Sequence, residues 1–181
     1  MGKVRHHTFQ LIFLSFLATI VFVQEIILGF LPNITLTPLF IILYSRLLDF
    51  KRVSVVVILY VIFDMLYMPI SFIHIPFLLL GWMIIPILLH TVFKRQNNVM
   101  FLTVFAFFHG FIYGWIQIPP GLIMTELPLW VYFLQDLPFE FIMAISSSTA
   151  IFVAYEPLYN RLKPFFIKLF QNKKIDFDDA R

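Results

Sequence analysis

Apolar residues run through the chain in long blocks, separated by short groups of Pro, Gly, amides and charges. The first block spans about 8–30 and closes in Gly29 to Asn33, where Gly and Pro stop regular structure. A short second block covers 37–50, with Pro38 suited to a first helical turn. The third, 53–68, stops at Pro69, and the fourth, 74–93, holds Pro76 near its start and Pro86 as an expected kink. The fifth, 100–118, is expected to end at Pro119-Pro120-Gly121. The sixth, 129–156, leads into a basic tail over 161–181 that carries the acidic tip Asp176-Phe177-Asp178-Asp179. Because roughly 20 apolar residues cross a bilayer as a helix, the pattern predicts six transmembrane helices in a single membrane domain, 1–181.

Composition places the chain in the all-α integral membrane class: 61% of its 181 residues are hydrophobic, 13% are charged, and the mean hydropathy is +0.92. Little chain is left for a soluble catalytic domain. The absence of cysteine removes disulfides, thiol nucleophiles and thiolate metal sites. Lys3, Arg5, His6 and His7 ahead of the first block resemble a secretory signal. That block is too long for a signal's apolar region and no small-residue cleavage site follows, so it is expected to stay as the first helix.

The positions of the charges change the picture more than their sum. Lys and Arg fall at the amino terminus, at the 2–3 turn, in the 4–5 turn and in the tail, while the 1–2, 3–4 and 5–6 connections have none. Cytoplasmic loops carry the Lys/Arg excess, so both termini are expected inside and those three connections outside. The net charge of +3 then reflects topology and the lipid bilayer, with no nucleic-acid partner implied.

Polar groups inside the apolar blocks are the candidate chemistry, because a charge at the bilayer centre costs about 2.5–3.5 kcal/mol or more. Gln135, Asp136 and Glu140 open the sixth helix, and the two acids lie four apart on one face. Asp136 reads either as a ligand-anchoring carboxylate, supported by Gln135, Trp130 and Tyr132, or as a structural acid bonded to a neighbour such as His109 or His74. Glu140, deeper, reads first as structural. Glu25, beside Gln24 late in the first helix, is expected near the external interface in an ordinary solvated role, and Asp64 as a carboxyl bonded to an adjacent helix. His74, His90 and His109 have no metal-ligand spacing, so no metal site is expected. Ser146-Ser147-Ser148 lacks the Gly-flanked elbow of a hydrolase, and no catalytic residue is expected. The ladder Ser146, Ala150, Ala154, the pair Ala144 and Ser148, and Ser15 with Ala18 and Thr19 on the first helix are small-residue faces for helix packing or for docking another subunit.

A first helix ending Gly-Phe-Leu-Pro-Asn-Ile-Thr-Leu-Thr-Pro, a short second helix, a basic 2–3 turn, and a last helix written Gln-Asp-Leu-Pro-Phe-Glu and closing Tyr-Glu-Pro-Leu-Tyr-Asn-Arg-Leu resemble the substrate-capture subunits, or S components, of energy-coupling factor (ECF) transporters. The resemblance implies a multi-pass protein of a bacterial plasma membrane that binds a vitamin or related micronutrient in an externally open cavity. Carried over, it nominates Asn33 and Thr35 in the 1–2 loop, Trp82, Tyr113 and Gln117, and Tyr132, Gln135 and Asp136 as substrate-binding. It also implies docking on a membrane coupling subunit driven by two ATPase subunits. ATP would be used by those partners, with no cofactor in this chain, which agrees with the lack of a GxxxxGK[ST] phosphate loop and with a non-enzymatic role. Many members carry Ala-x-x-x-Ala on the first helix for that docking; here Ser15, Ala18 and Thr19 stand in its place, with Phe22 four residues after Ala18. The competing expectation is a structural membrane subunit of a cell-shape complex, a pattern Asp64 would fit. With no Lys or Arg in the outer half, a neutral, cationic or aromatic cargo is favoured, from a small heterocycle to a corrinoid, and Asp136→Asn is expected to weaken its binding.

Overall fold

The computed structural model describes residues 2–67 and 71–170, with side chains from Thr8 onward. Six helices make up the described residues: α1 Gly2–Leu28, α2 Thr37–Leu47, α3 Phe50–Tyr67, α4 Ile75–His90, α5 Val99–Thr125 and α6 Leu129–Phe170. Three segments, Thr8–Leu28, α5 and α6, are long and apolar enough to cross a membrane. The expected stop at Pro69 and the acidic tip lie outside the described residues.

Two helices run well past their expected ends. α5 continues through Pro119 and Pro120 to Thr125 and closes with Glu126 in the left-handed region, φ 55°, whose N–H bonds to the Leu122 carbonyl. Each proline removes one backbone donor, and helices among apolar neighbours tolerate this because packing against an adjacent helix holds the register. α6 runs through Pro138, Pro157 and Pro164 to Phe170. Part of the expected tail, 161–170, is therefore helix. It packs back on α1, where Phe13 meets Phe165 and Phe166 at 5.5 Å and Phe170 at 5.8 Å. The Arg52 guanidinium stands 4.7 Å over the Phe170 ring.

α2 is the centre of the bundle. At 11 residues it is only about 16 Å long at 1.5 Å per residue, well short of a hydrocarbon layer of about 30 Å, yet Thr37 to Leu39 and Ile41 to Ser45 are all buried. A helix that is apolar on every side is stable when other helices enclose it. α2 does so mainly against α4 and α6. Its basic end is locked by Arg46, whose guanidinium donates to the carbonyls of Leu89 at 3.2 Å, Phe93 at 2.9 Å and Lys94 at 3.3 Å, and also to that of Gln96. His90 adds ring-nitrogen contacts to the Pro86 carbonyl at 2.8 Å and the Leu48 carbonyl at 3.2 Å.

α5 and α6 form an antiparallel hairpin with the most extensive helix contact in the molecule. Glycines on α5 set its spacing. A Cβ at Gly110 would lie 2.8 Å from the Ala144 Cα, one at Gly114 would collide with the Glu140 side chain, and one at Gly121 with the Tyr132 hydroxyl. Around this mostly apolar interior the exterior is apolar too, unlike that of a water-soluble bundle. Gln24, Thr37, Asp64, His109, Glu140 and Ser147 are buried, while Phe9, Ile12, Phe16 and Ile27 on α1, and Trp130, Leu134, Phe152 and Val153 on α6, are exposed.

Candidate binding site

At the end of α1 a cavity of about 200 Å³ opens beneath the 1–2 loop. Glu25 and Leu28 of α1, Gly29 and Leu31 to Thr35 of the loop, Trp82 of α4, Tyr113 of α5 and Met143 of α6 line it.

The loop over the cavity has little regular structure, and side chains hold it in place. The Gln24 amide nitrogen donates to the Thr37 hydroxyl at 2.7 Å and to the Val21 carbonyl at 2.9 Å, while its oxygen accepts the Leu36 N–H at 3.0 Å. The Thr35 hydroxyl accepts the Thr37 N–H at 3.1 Å and donates to the Thr37 hydroxyl at 2.9 Å. Asn33 takes a left-handed conformation, φ 57°, which asparagine tolerates better than most residues. Its carbonyl accepts a long bond, 3.4 Å, from Ser146 of α6. Ser146, expected as a packing residue, thus also reaches the loop.

The wall opposite is aromatic. The Trp82 and Tyr113 ring centroids are 4.4 Å apart and inclined at 36°, and Tyr60 meets Trp82 edge-on at 6.0 Å. Gly81 makes this approach possible, since a Cβ there would lie 2.7 Å from Tyr113 Cδ2. His109 stands behind, its Nε2 3.0 Å from the Gly81 carbonyl. The Tyr60 hydroxyl donates to the Glu25 carboxylate, and Asp64, 7% exposed, lies close enough to act electrostatically on both Glu25 and Tyr113. Among the described residues no Lys or Arg lines the cavity. The arrangement offers an aromatic surface, acceptor oxygens and the Glu25 carboxyl with no basic side chain in the lining.

Of the residues nominated from sequence, Asn33, Thr35, Trp82 and Tyr113 come together here. Gln117, Tyr132, Gln135 and Asp136 are not part of the lining and lie along the α5–α6 hairpin. Gln117 points its amide toward Gly81, with both polar atoms buried and unpartnered. Tyr132 packs on Gly121, Gln135 is exposed and Asp136 is half-buried. Glu140 is 3% exposed against Gly114, with Trp115 nearby but no hydrogen bond of ordinary geometry to either carboxyl oxygen. Glu25 is the lining residue the sequence reading passed over as interfacial. Its place directly before the loop, beside the loop-holding Gln24, was the available signal.

On α1, Ala18 is fully buried in the bundle, so it packs inward instead of offering a docking face. Ser15 and Thr19 turn further outward, their hydroxyls bonded back to the Leu11 and Ser15 carbonyls. A second cavity of about 360 Å³ between α4 and α5 is walled by Ile84, Leu88, Phe101, Phe105 and Phe108, with His109 at its back. No three His, Asp or Glu side chains converge as a metal site among the described residues. No protein family, no curated protein and no solved structure matches the chain.

Proposed function

We propose that this chain is an integral membrane protein with six membrane helices and both termini cytoplasmic, and that it captures a small organic nutrient from outside. In this reading it is the substrate-capture subunit of an ECF-type importer in a bacterial plasma membrane. It hands its cargo inward when docked on a coupling subunit and two ATPases, and it carries out no chemistry itself. The observation that supports this most is the cavity under the 1–2 loop, which joins a close aromatic pair, a carboxyl and a side-chain-held loop at one end of a bundle with an apolar exterior.

Size narrows the cargo. At about 200 Å³ the space is below the roughly 300–1,000 Å³ of drug-sized pockets, which suits a one- or two-ring heterocycle better than a corrinoid. The test is mass spectrometry of small molecules that accompany the purified protein, followed by titration with a panel of heterocyclic vitamins. We expect one compound to bind tightly and to lose most of its affinity in Trp82→Ala. A protein that brings no small molecule with it and binds no member of the panel would sink the capture reading.

A further inference from the structure

Resting on that reading, we infer that the cargo is a heteroaromatic cation, selected for its charge by Glu25. The sequence alone left neutral and cationic compounds equally open. Three features of the cavity decide between them.

First, the cavity is acidic without a counter-charge. Glu25 contributes a carboxyl to the lining, Asp64 stands behind it within electrostatic reach, and no Lys or Arg lines the space among the described residues. Tyr60 satisfies part of Glu25 by donating its hydroxyl, but a carboxylate has acceptor capacity for further donors. A poorly solvated carboxyl is stable as a charge only beside a positive group, and the lining supplies none, so a bound cation is the complement it lacks. Second, the facing wall is the Trp82–Tyr113 pair; Trp82 is only 3% exposed and backs the half-buried Tyr113 ring, which is the aromatic surface a cation can reach. Third, the lining holds fewer than three carboxylate or imidazole groups, and none converge elsewhere among the described residues, so a bare metal ion is not the better match. A flat ring carrying its own positive charge meets both walls at once: its face lies against Tyr113 and its charge against Glu25. An anion of the same shape would meet the Glu25 carboxyl, with Asp64 behind it, and no base in the lining.

One ring in three charge states isolates this choice: 1-methylnicotinamide is a cation, nicotinamide is neutral and nicotinate is an anion. Binding of each to the purified full-length protein in detergent at neutral pH is read from tryptophan fluorescence or calorimetry. The cation should bind about ten-fold more tightly than the neutral ring, and the anion should bind weakest. Glu25→Gln should erase the gap between cation and neutral ring. Asp64→Asn, the second variant should the first fold poorly, should narrow it. Equal or tighter binding of nicotinamide, or a preference that survives Glu25→Gln, overturns the cation inference and leaves the capture reading standing. Should none of the three bind, the co-purified molecule decides, and one that is neutral or anionic at neutral pH overturns the inference. Absence of both binding and a co-purified molecule removes the capture reading with it.

Discussion

A single amide ties the loop over the cavity to the end of α1. Gln24 is 8% exposed and serves as donor to Thr37 and acceptor from the Leu36 N–H, so its loss strands groups that water reaches poorly. Gln24→Leu should cost about 1–3 kcal/mol. Thermal unfolding in detergent would show this, with faster protease cleavage between Gly29 and Leu36 in the same samples. Asp136 is a contrasting case. From sequence, Asp136→Asn was expected to weaken ligand binding, but this carboxyl is outside the cavity lining. The structure-based expectation is affinity within about two-fold of the wild type in a titration where Trp82→Ala loses most of it. Asn33 and Thr35 were nominated through the family resemblance and do line the cavity, in a stretch that Pro32 and its polar neighbours mark as a loop. Glu25 was not, because an acid at the end of a membrane helix reads as solvated. Nothing local to it shows that Tyr60, 35 residues later, folds over it.

Between helices, contact depends on what is missing from side chains as much as on what is present. Gly110 and Gly114 let α6 approach α5 so closely that Ala144 and Glu140 occupy the space a Cβ would need. Gly110→Leu should therefore force the hairpin apart and destabilise it by about 1–3 kcal/mol, visible as a lowered unfolding temperature. The same substitution at the exposed Val153 should change little. Sequence did show the small residues of α6, but their partner had to be read from Gly110-x-x-x-Gly114, a spacing that marks close helix approach only once the antiparallel register is known. Helix ends were less legible than helix positions. Pro119-Pro120 looked like a stop, yet α5 continues because α6 lies alongside it. At the basic end Arg46 spreads its planar guanidinium over several carbonyls that close α4, a pattern a lysine ammonium cannot reproduce. Arg46→Lys should lower stability by about 1–3 kcal/mol in the same unfolding assay.

At the scale of the whole molecule, the class was legible from composition, while the arrangement of helices about α2 was not, since no local pattern says which helix others will enclose. The proposed orientation can be checked directly because the chain has no cysteine to remove. A membrane-impermeant maleimide should label Ile34→Cys in intact cells and Asn97→Cys only after lysis; the reverse pattern would invert the topology. The brevity of α2 bears finally on how the protein is made. Eleven residues are too few for the insertion machinery to hold as an independent span, and the helix finds its main neighbours, α4 and α6, only after they are synthesised. Its placement must then wait for the last helix to leave the ribosome. Chains cut short before α6 should be recognised by quality-control proteases as unfinished, even though more than two-thirds of the sequence is already in place.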